Sequence, residues 1–187
     1  MKKALLLSLF LLFLPLSFGK LSNLFLEPDI FEKEEVEVIS PKIEIPRELT
    51  DFLKYVKLPE ESRPSIWPIV GVVTSQYGWR RRGRYKEFHA GIDIAAPTGT
   101  PVVATADGVV IFSGWVRGYG YVIVIYHGYG YTTVYAHLSG REGYKGDLVA
   151  KGSVIGYIGS TGRATGPHLH YEVLKYGIRQ NPILYLP

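Results

Sequence analysis

A chain of 187 residues with 47% apolar side chains and 21 glycines is long enough for one substantial core and too hydrophobic for a disordered protein. It has no cysteine, which excludes disulfides, thiolate metal ligands, a cysteine nucleophile and the acylated cysteine of a bacterial lipoprotein. The net charge of +4 is unevenly spread: residues 20–65 carry 7 basic and 11 acidic groups, and residues 66–187 carry 12 basic and 6 acidic groups.

Lys2 and Lys3 precede an apolar run over residues 4–18 that Pro15 interrupts, and Ser17-Phe18-Gly19 supplies small residues before Lys20. This layout predicts a secretory signal peptide over residues 1–19. The run is shorter than the roughly 20 residues of a membrane span, though an uncleaved segment would leave a membrane tether. Export predicts work in the periplasm or cell envelope, or outside the cell. It also argues against nucleic acid as the partner of the basic region, and favours anionic wall polymer.

Residues 20–65 read as an acidic tail. Val36, Val38, Ile43 and Ile45 alternate with Glu37 and Glu44 around Ser40-Pro41, which suits an extended edge segment. Leu49, Phe52, Leu53 and Val56 follow at helical spacing and predict a short amphipathic helix. Residues 60–64 then form a joint. A plain spacer, a tether, a docking arm or an inhibitory pro-segment would all fit this composition.

From Ile66 onward, short apolar runs alternate with glycine turns and no helical period is sustained. Residues 101–112 predict strand, turn at Asp107-Gly108, and strand. Residues 121–126 and 131–137 flank His127-Gly128-Tyr129-Gly130 and predict a hairpin. Residues 154–158 and 168–174 add two more strands. The fold class expected for 66–187 is all-β and antiparallel, a sandwich or partly open barrel. The run from Gly146 through Ala150-Lys151-Gly152 to Gly156 is similar to biotinyl and lipoyl carrier domains. The carrier's exposed lysine setting is missing, so the likeness speaks to a barrel-sandwich-hybrid sheet and not to a carrier function.

Four of the five histidines lie in three short motifs: His89-Ala90-Gly91-Ile92-Asp93, Tyr135-Ala136-His137-Leu138-Ser139 and His168-Leu169-His170. Neutral imidazole and carboxylate suit zinc, and three such ligands leave a coordination position open for hydrolytic chemistry. On a strand, His168 and His170 face the same side about 6.6 Å apart. One can ligate while the other reaches the reacting water, and Glu172 on that face can steady a neighbouring ring. A straight strand would hold His89 and Asp93 about 13 Å apart, so the chain must bend, which Gly91 permits. His127 beside Gly128 reads as structural. The basic run Arg80-Arg81-Arg82-Gly83-Arg84 reads as a solvated loop or a contact for anionic polymer. Gly118-Tyr119-Gly120 and Gly159-Ser160-Thr161-Gly162 lack the helix and lysine of a phosphate loop.

Taken in order, Val73 to Arg80, His89 to Gly99, Tyr135 to Ser139, Gly159 through Glu172, and Asn181-Pro182 resemble the lysostaphin/LytM-type zinc metallopeptidases, the M23 peptidase family. The resemblance implies zinc held by His89, Asp93 and His170, with His137 and His168 as catalytic residues beside the reacting water. It implies an endopeptidase acting on peptide cross-links or stem peptides of bacterial peptidoglycan. The alternative it leaves is a non-catalytic activator of cell-wall amidases, as in relatives that have lost ligands; here all five positions are filled.

Overall fold

The computed structural model describes residues 62–82 and 84–187. The signal peptide expected at 1–19, the extended segment at 36–45 and the helix at 49–56 lie outside the described residues.

Among the described residues the chain forms twelve strands: β1 Val72–Ser75, β2 Gly78–Arg82, β3 Tyr85–His89, β4 Ile92–Ala95, β5 Pro101–Val103, β6 Gly108–Val116, β7 Gly120–Gly128, β8 Tyr131–Arg141, β9 Leu148–Val149, β10 Val154–Ile158, β11 His168–Lys175 and β12 Ile178–Gln180. The 3₁₀ turn Pro182–Tyr185 follows. The main sheet runs β1-β4-β11-β8-β7-β6-β9, with β12 beside β11 and with β10 joining β5 to β8. Every pairing is antiparallel. The all-β expectation therefore holds, including the β7–β8 hairpin, whose turn places Tyr129 and Gly130 at positive φ (49° and 80°) as a tight hairpin turn requires.

One expectation needs correction. Arg80, Arg81 and Arg82 of the basic run are strand and not loop: β2 and β3 pair from Gly78↔His89 to Arg82↔Tyr85 as a separate two-stranded hairpin. Trp79 opposes Phe88 across it, with ring centroids 5.5 Å apart. Cross-strand aromatic pairs of this kind favour strand over loop, and the density of arginine masked them.

The main core lies on one face of the sheet, where Ile92, Ile94, Ile123, Ile125, Tyr135, Leu138, Leu169, Tyr171 and Val173 are fully buried. Burial of each aliphatic side chain is worth about 1.5–3 kcal/mol relative to exposure. Strand alternation puts Asp93 between Ile92 and Ile94, and His168, His170 and Glu172 between the core residues of β11. The polar members of β4 and β11 thus share the opposite face, and the β4–β11 register sets His170 directly across from Asp93.

The core also holds a polar chain. The Thr105 amide donates to the Tyr135 hydroxyl (3.0 Å), and the Thr105 hydroxyl meets that of Tyr171 (2.9 Å). His127 is fully buried, with Nδ1 2.8 Å from the Asp107 carbonyl and Nε2 2.7 Å from the Thr133 hydroxyl. A carbonyl only accepts, so Nδ1 carries the proton and the Thr133 hydroxyl donates to Nε2. Burial lowers the His127 pKa to about 4, against the opposing pull of the Asp107 and Ala106 backbone. The ring is neutral and structural, as the sequence suggests.

At the start of the described chain, Arg63 donates to the Leu184 carbonyl at 2.7 Å and Trp67 to the Pro187 carbonyl at 2.8 Å. These contacts tie residues 63–67 to the C-terminal turn.

Candidate active site

His89 ends β3 and Asp93 lies in β4, and the chain bends at Ala90-Gly91 between the hairpin and the main sheet. The bend brings His89 Nε2 to 3.1 Å from Asp93 Oδ1, so the expected turn exists. Its glycine is needed for space as well as for bending. A Cβ on Gly91 would meet the Tyr171 carbonyl oxygen of the neighbouring strand at 2.2 Å.

His170, on β11, completes the group: its Nδ1 lies 2.9 Å from Asp93 Oδ1 and 3.1 Å from His89 Nε2. One ligand atom from each of His89, Asp93 and His170 falls within 4.8 Å of the others. The donor set, two imidazoles and a carboxylate, suits zinc. The ring orientations suit it as well. His89 Nδ1 is 2.8 Å from the Gln76 carbonyl, so Nδ1 is the protonated nitrogen and the Nε2 lone pair faces Asp93 and His170. His170 Nε2 is 3.0 Å from Glu172 Oε1, which leaves Nδ1 facing the group.

Glu172 is 1% exposed, yet its charge is met from three sides. Besides His170, Tyr119 donates to Oε1 at 2.5 Å and Arg179 to Oε2 at 3.2 Å. Burial pushes the Glu172 pKa up, but His170, Arg179 and Tyr119 together outweigh it and hold the group as a carboxylate. Burial likewise disfavours the charged forms of Asp93 and His170, and again the partners win. Asp93 is held far below the usual carboxylate range by His170 and His89, and His170 is raised to about 9 by Asp93 and Glu172. A metal cation would displace the proton that His170 shares with Asp93.

His137 reaches this face through a β-bulge. Along β8, Tyr135 opposes Ile123 and Leu138 opposes Tyr121, so β8 carries one extra residue. Regular alternation would send His137 into the core with Tyr135. The bulge, with His137 at φ 63°, turns it to the site face instead. Its amide donates to the Tyr119 carbonyl at 2.9 Å, and its Nδ1 lies 2.7 Å from the Thr161 carbonyl. His168 is anchored in the same manner, Nδ1 to the Gly166 carbonyl at 2.8 Å. The two rings are 4.7 Å apart, and His168 Nε2 is 3.8 Å from Asp93 Oδ1. Burial lowers the His137 pKa to about 4, with neighbouring His170 and His168 adding to the effect and the Thr161 carbonyl opposing it.

All five residues expected at the site thus converge. The family model for peptidase family M23 matches residues 87–182. The chain belongs to peptidase family M23. Among M23-type relatives, it is 46% identical over 129 residues to the DD-carboxypeptidase/endopeptidase Mpg of Neisseria meningitidis serogroup B, covering 67% of this chain and 30% of that protein. The chain therefore spans less than a third of that relative's length. Among solved structures, a zinc-containing peptidase from Vibrio cholerae matches with a TM-score of 0.60 at 36% identity, covering 64% of this chain and 39% of that one. The catalytic domain of the antimicrobial peptidase lysostaphin from Staphylococcus simulans matches with a TM-score of 0.58 at 32% identity, covering 62% of this chain and 91% of that domain.

Around these five residues lie others that sequence reasoning missed. Arg80 turns inward: it donates to Asp93 Oδ2 at 3.3 Å, to Glu87 Oε1 at 2.8 Å and to the Ser75 hydroxyl. Tyr119 touches both halves of the site, through its carbonyl to His137 and its hydroxyl to Glu172. Thr161 positions His137, and its own hydroxyl donates to the Leu138 carbonyl at 2.7 Å. Alternation along β2 puts Arg80 on the opposite face from Arg81, a signal available only once β2 is recognised as a strand.

Proposed function

We propose that this chain is a zinc-dependent endopeptidase that hydrolyses peptide cross-links or stem peptides of bacterial peptidoglycan. The observation that carries the proposal is the juxtaposition of a three-donor group, His89, Asp93 and His170, with two further histidines: the His137 ring lies 6.0 Å from that of His170, and His168 Nε2 lies 3.8 Å from Asp93 Oδ1. Membership of M23 and likeness to a DD-carboxypeptidase/endopeptidase support the substrate class.

In this reading His89 Nε2, an Asp93 oxygen and His170 Nδ1 hold zinc. Bound there, zinc would supply Lewis acidity, polarising a carbonyl and acidifying water. The protein's own part is proton handling. His137 and His168 each give their Nδ1 proton to a backbone carbonyl, so each presents Nε2 as an acceptor. One of them removes the proton from the attacking water, and the resulting imidazolium can return it to the leaving amine. Once protonated, the Nε2–H of that imidazolium can also donate to the oxyanion that develops. Glu172, clamped by Tyr119 and Arg179, keeps His170 in one orientation.

We further read residues 1–19 as an export signal, residues 20–65 as a linker, tether or pro-segment, and 66–187 as the peptidase domain, acting in the cell envelope where such a substrate lies. The basic excess in the peptidase domain supports a contact with anionic wall polymer.

Incubating the protein with purified peptidoglycan, with and without a zinc chelator, tests the reading. Chelator-sensitive release of peptides with new amino termini is expected, and mass spectrometry names the bond. Intact peptidoglycan under every condition would favour the non-catalytic activator role.

A further inference from the structure

The Arg80 side chain is the joint between the β2–β3 hairpin and the donor group. Its guanidinium makes three contacts to groups from three elements: Ser75 at the end of β1, Glu87 of β3 and Asp93 of β4. Only Arg has the planar fork to satisfy such partners together. The geometry at Asp93 is divided. Oδ1 faces His89, His170 and, at longer range, His168, at 3.1, 2.9 and 3.8 Å, while Oδ2 faces Arg80. A short carboxylate side chain free to rotate would offer either oxygen, or both, to a cation. Arg80 is partly buried, with 32% of its side chain exposed, so the bond is screened less than a surface pair.

We infer that Arg80 is a positioning residue for the metal centre: it engages Asp93 Oδ2 and leaves Oδ1 as the single oxygen presented to the cation. The inference rests on the metal-site reading above. It also gives the exposed hairpin a direct mechanical link to the site, because Glu87 holds the same guanidinium from within β3. Arg81 and Lys86, the next cross-strand pair, are exposed and have no ion-pair partner among the described residues, so the contact to the site is made by Arg80 and not by its neighbour Arg81.

The test is the zinc dissociation constant of the full chain, measured by competition with a chromophoric chelator, in R80M, R80K, D93N and R80M/D93N. Loss of a group that orients a ligand typically weakens metal binding about 10–100-fold, and that is the loss expected for R80M. R80K restores part of it, because an ammonium can reach Asp93 but cannot hold Asp93 and Glu87 in a fork. In the D93N background, R80M should weaken binding no further, since the two act through one contact. Unchanged or tighter zinc binding in R80M, or a full additional loss in the double variant, would overturn the inference. Tighter binding would mean that Arg80 acts only as a repelling charge. If metal-free R80M fails to fold by circular dichroism, E87Q carries the test. It keeps Arg80 but removes one of its anchors, and should weaken zinc by less than about tenfold; no change there would equally overturn the inference. A wild-type chain that binds no zinc would overturn the metal-site reading and this inference together, whereas tight wild-type binding with an unaffected R80M would remove only the inference.

Discussion

His137 and His168 stand 4.7 Å apart, each with its Nδ1 fixed on a backbone carbonyl, Thr161 for one and Gly166 for the other. Carbonyls cannot donate, so both rings have the same tautomer and turn Nε2 toward the donor group. His89 shares that tautomer, but it and His170 lie within the three-donor group around Asp93, as ligands would.

The two classes of histidine should separate by mutation. His170→Ala removes a proposed ligand, and should abolish both zinc retention and peptidoglycan cleavage. His137→Asn suits the left-handed backbone at that position, should keep one zinc per chain, and should lower turnover about 10²–10⁴-fold as loss of a general acid–base group does. Zinc content and turnover measured side by side decide it; equal zinc loss in both variants would contradict the division.

Glu172→Gln should weaken zinc binding by about 10–100-fold while leaving the protein folded. The amide can still accept from His170, but its NH₂ group then faces the Arg179 guanidinium, and two donors repel. Tyr119→Phe removes one of three partners of the carboxylate and should have a smaller effect in the same chelator competition. A loss with Tyr119→Phe larger than that with Glu172→Gln would mean that Tyr119 acts by another route.

Gly91→Ala should disturb the site through packing. The added Cβ would stand 2.2 Å from the Tyr171 carbonyl oxygen, so β4 must move away from β11 and carry Asp93 from His170. Overpacking of this kind costs about 1–3 kcal/mol. Urea unfolding and zinc affinity should fall together, and an unchanged pair of values would show that the two strands can part freely.

Buried His127 makes the metal-free protein acid-sensitive. Its folded pKa, about 4, lies below the ordinary histidine value of 6.5, so the unfolded chain binds more protons between those values. Stability from this group is complete above about pH 6.5 and declines as the pH falls toward 4, by an amount on the order of 3 kcal/mol. His127→Gln should be less stable at pH 7 but lose less on acidification. Urea midpoints at pH 7, 5.5 and 4 would reveal it; parallel losses in the two proteins would place the acid sensitivity elsewhere.

Much of this site was legible beforehand because histidine is rare here and clusters in three motifs. Strand alternation was enough to put His168, His170 and Glu172 on one face, and the M23 resemblance implied the ligand set. What escaped was whatever depends on register or backbone. The bulge that turns His137 out of the core leaves no mark in the local pattern, since an unbroken β8 would have buried it beside Tyr135. The tautomers depend on the carbonyls of Gln76, Thr161 and Gly166, and backbone groups carry no residue signature. Arg80 was hidden within a run of like residues, because only the pairing of β2 with β3 distinguishes it from Arg81.

The most direct measurement is hydrolysis of a cross-linked peptidoglycan peptide by metal-stripped protein during stepwise zinc addition. The account predicts no cleavage without zinc, and a rate that climbs to a plateau at one zinc per chain. Cleavage by the stripped protein, or one tightly bound zinc with no cleavage of any peptidoglycan peptide, would contradict it.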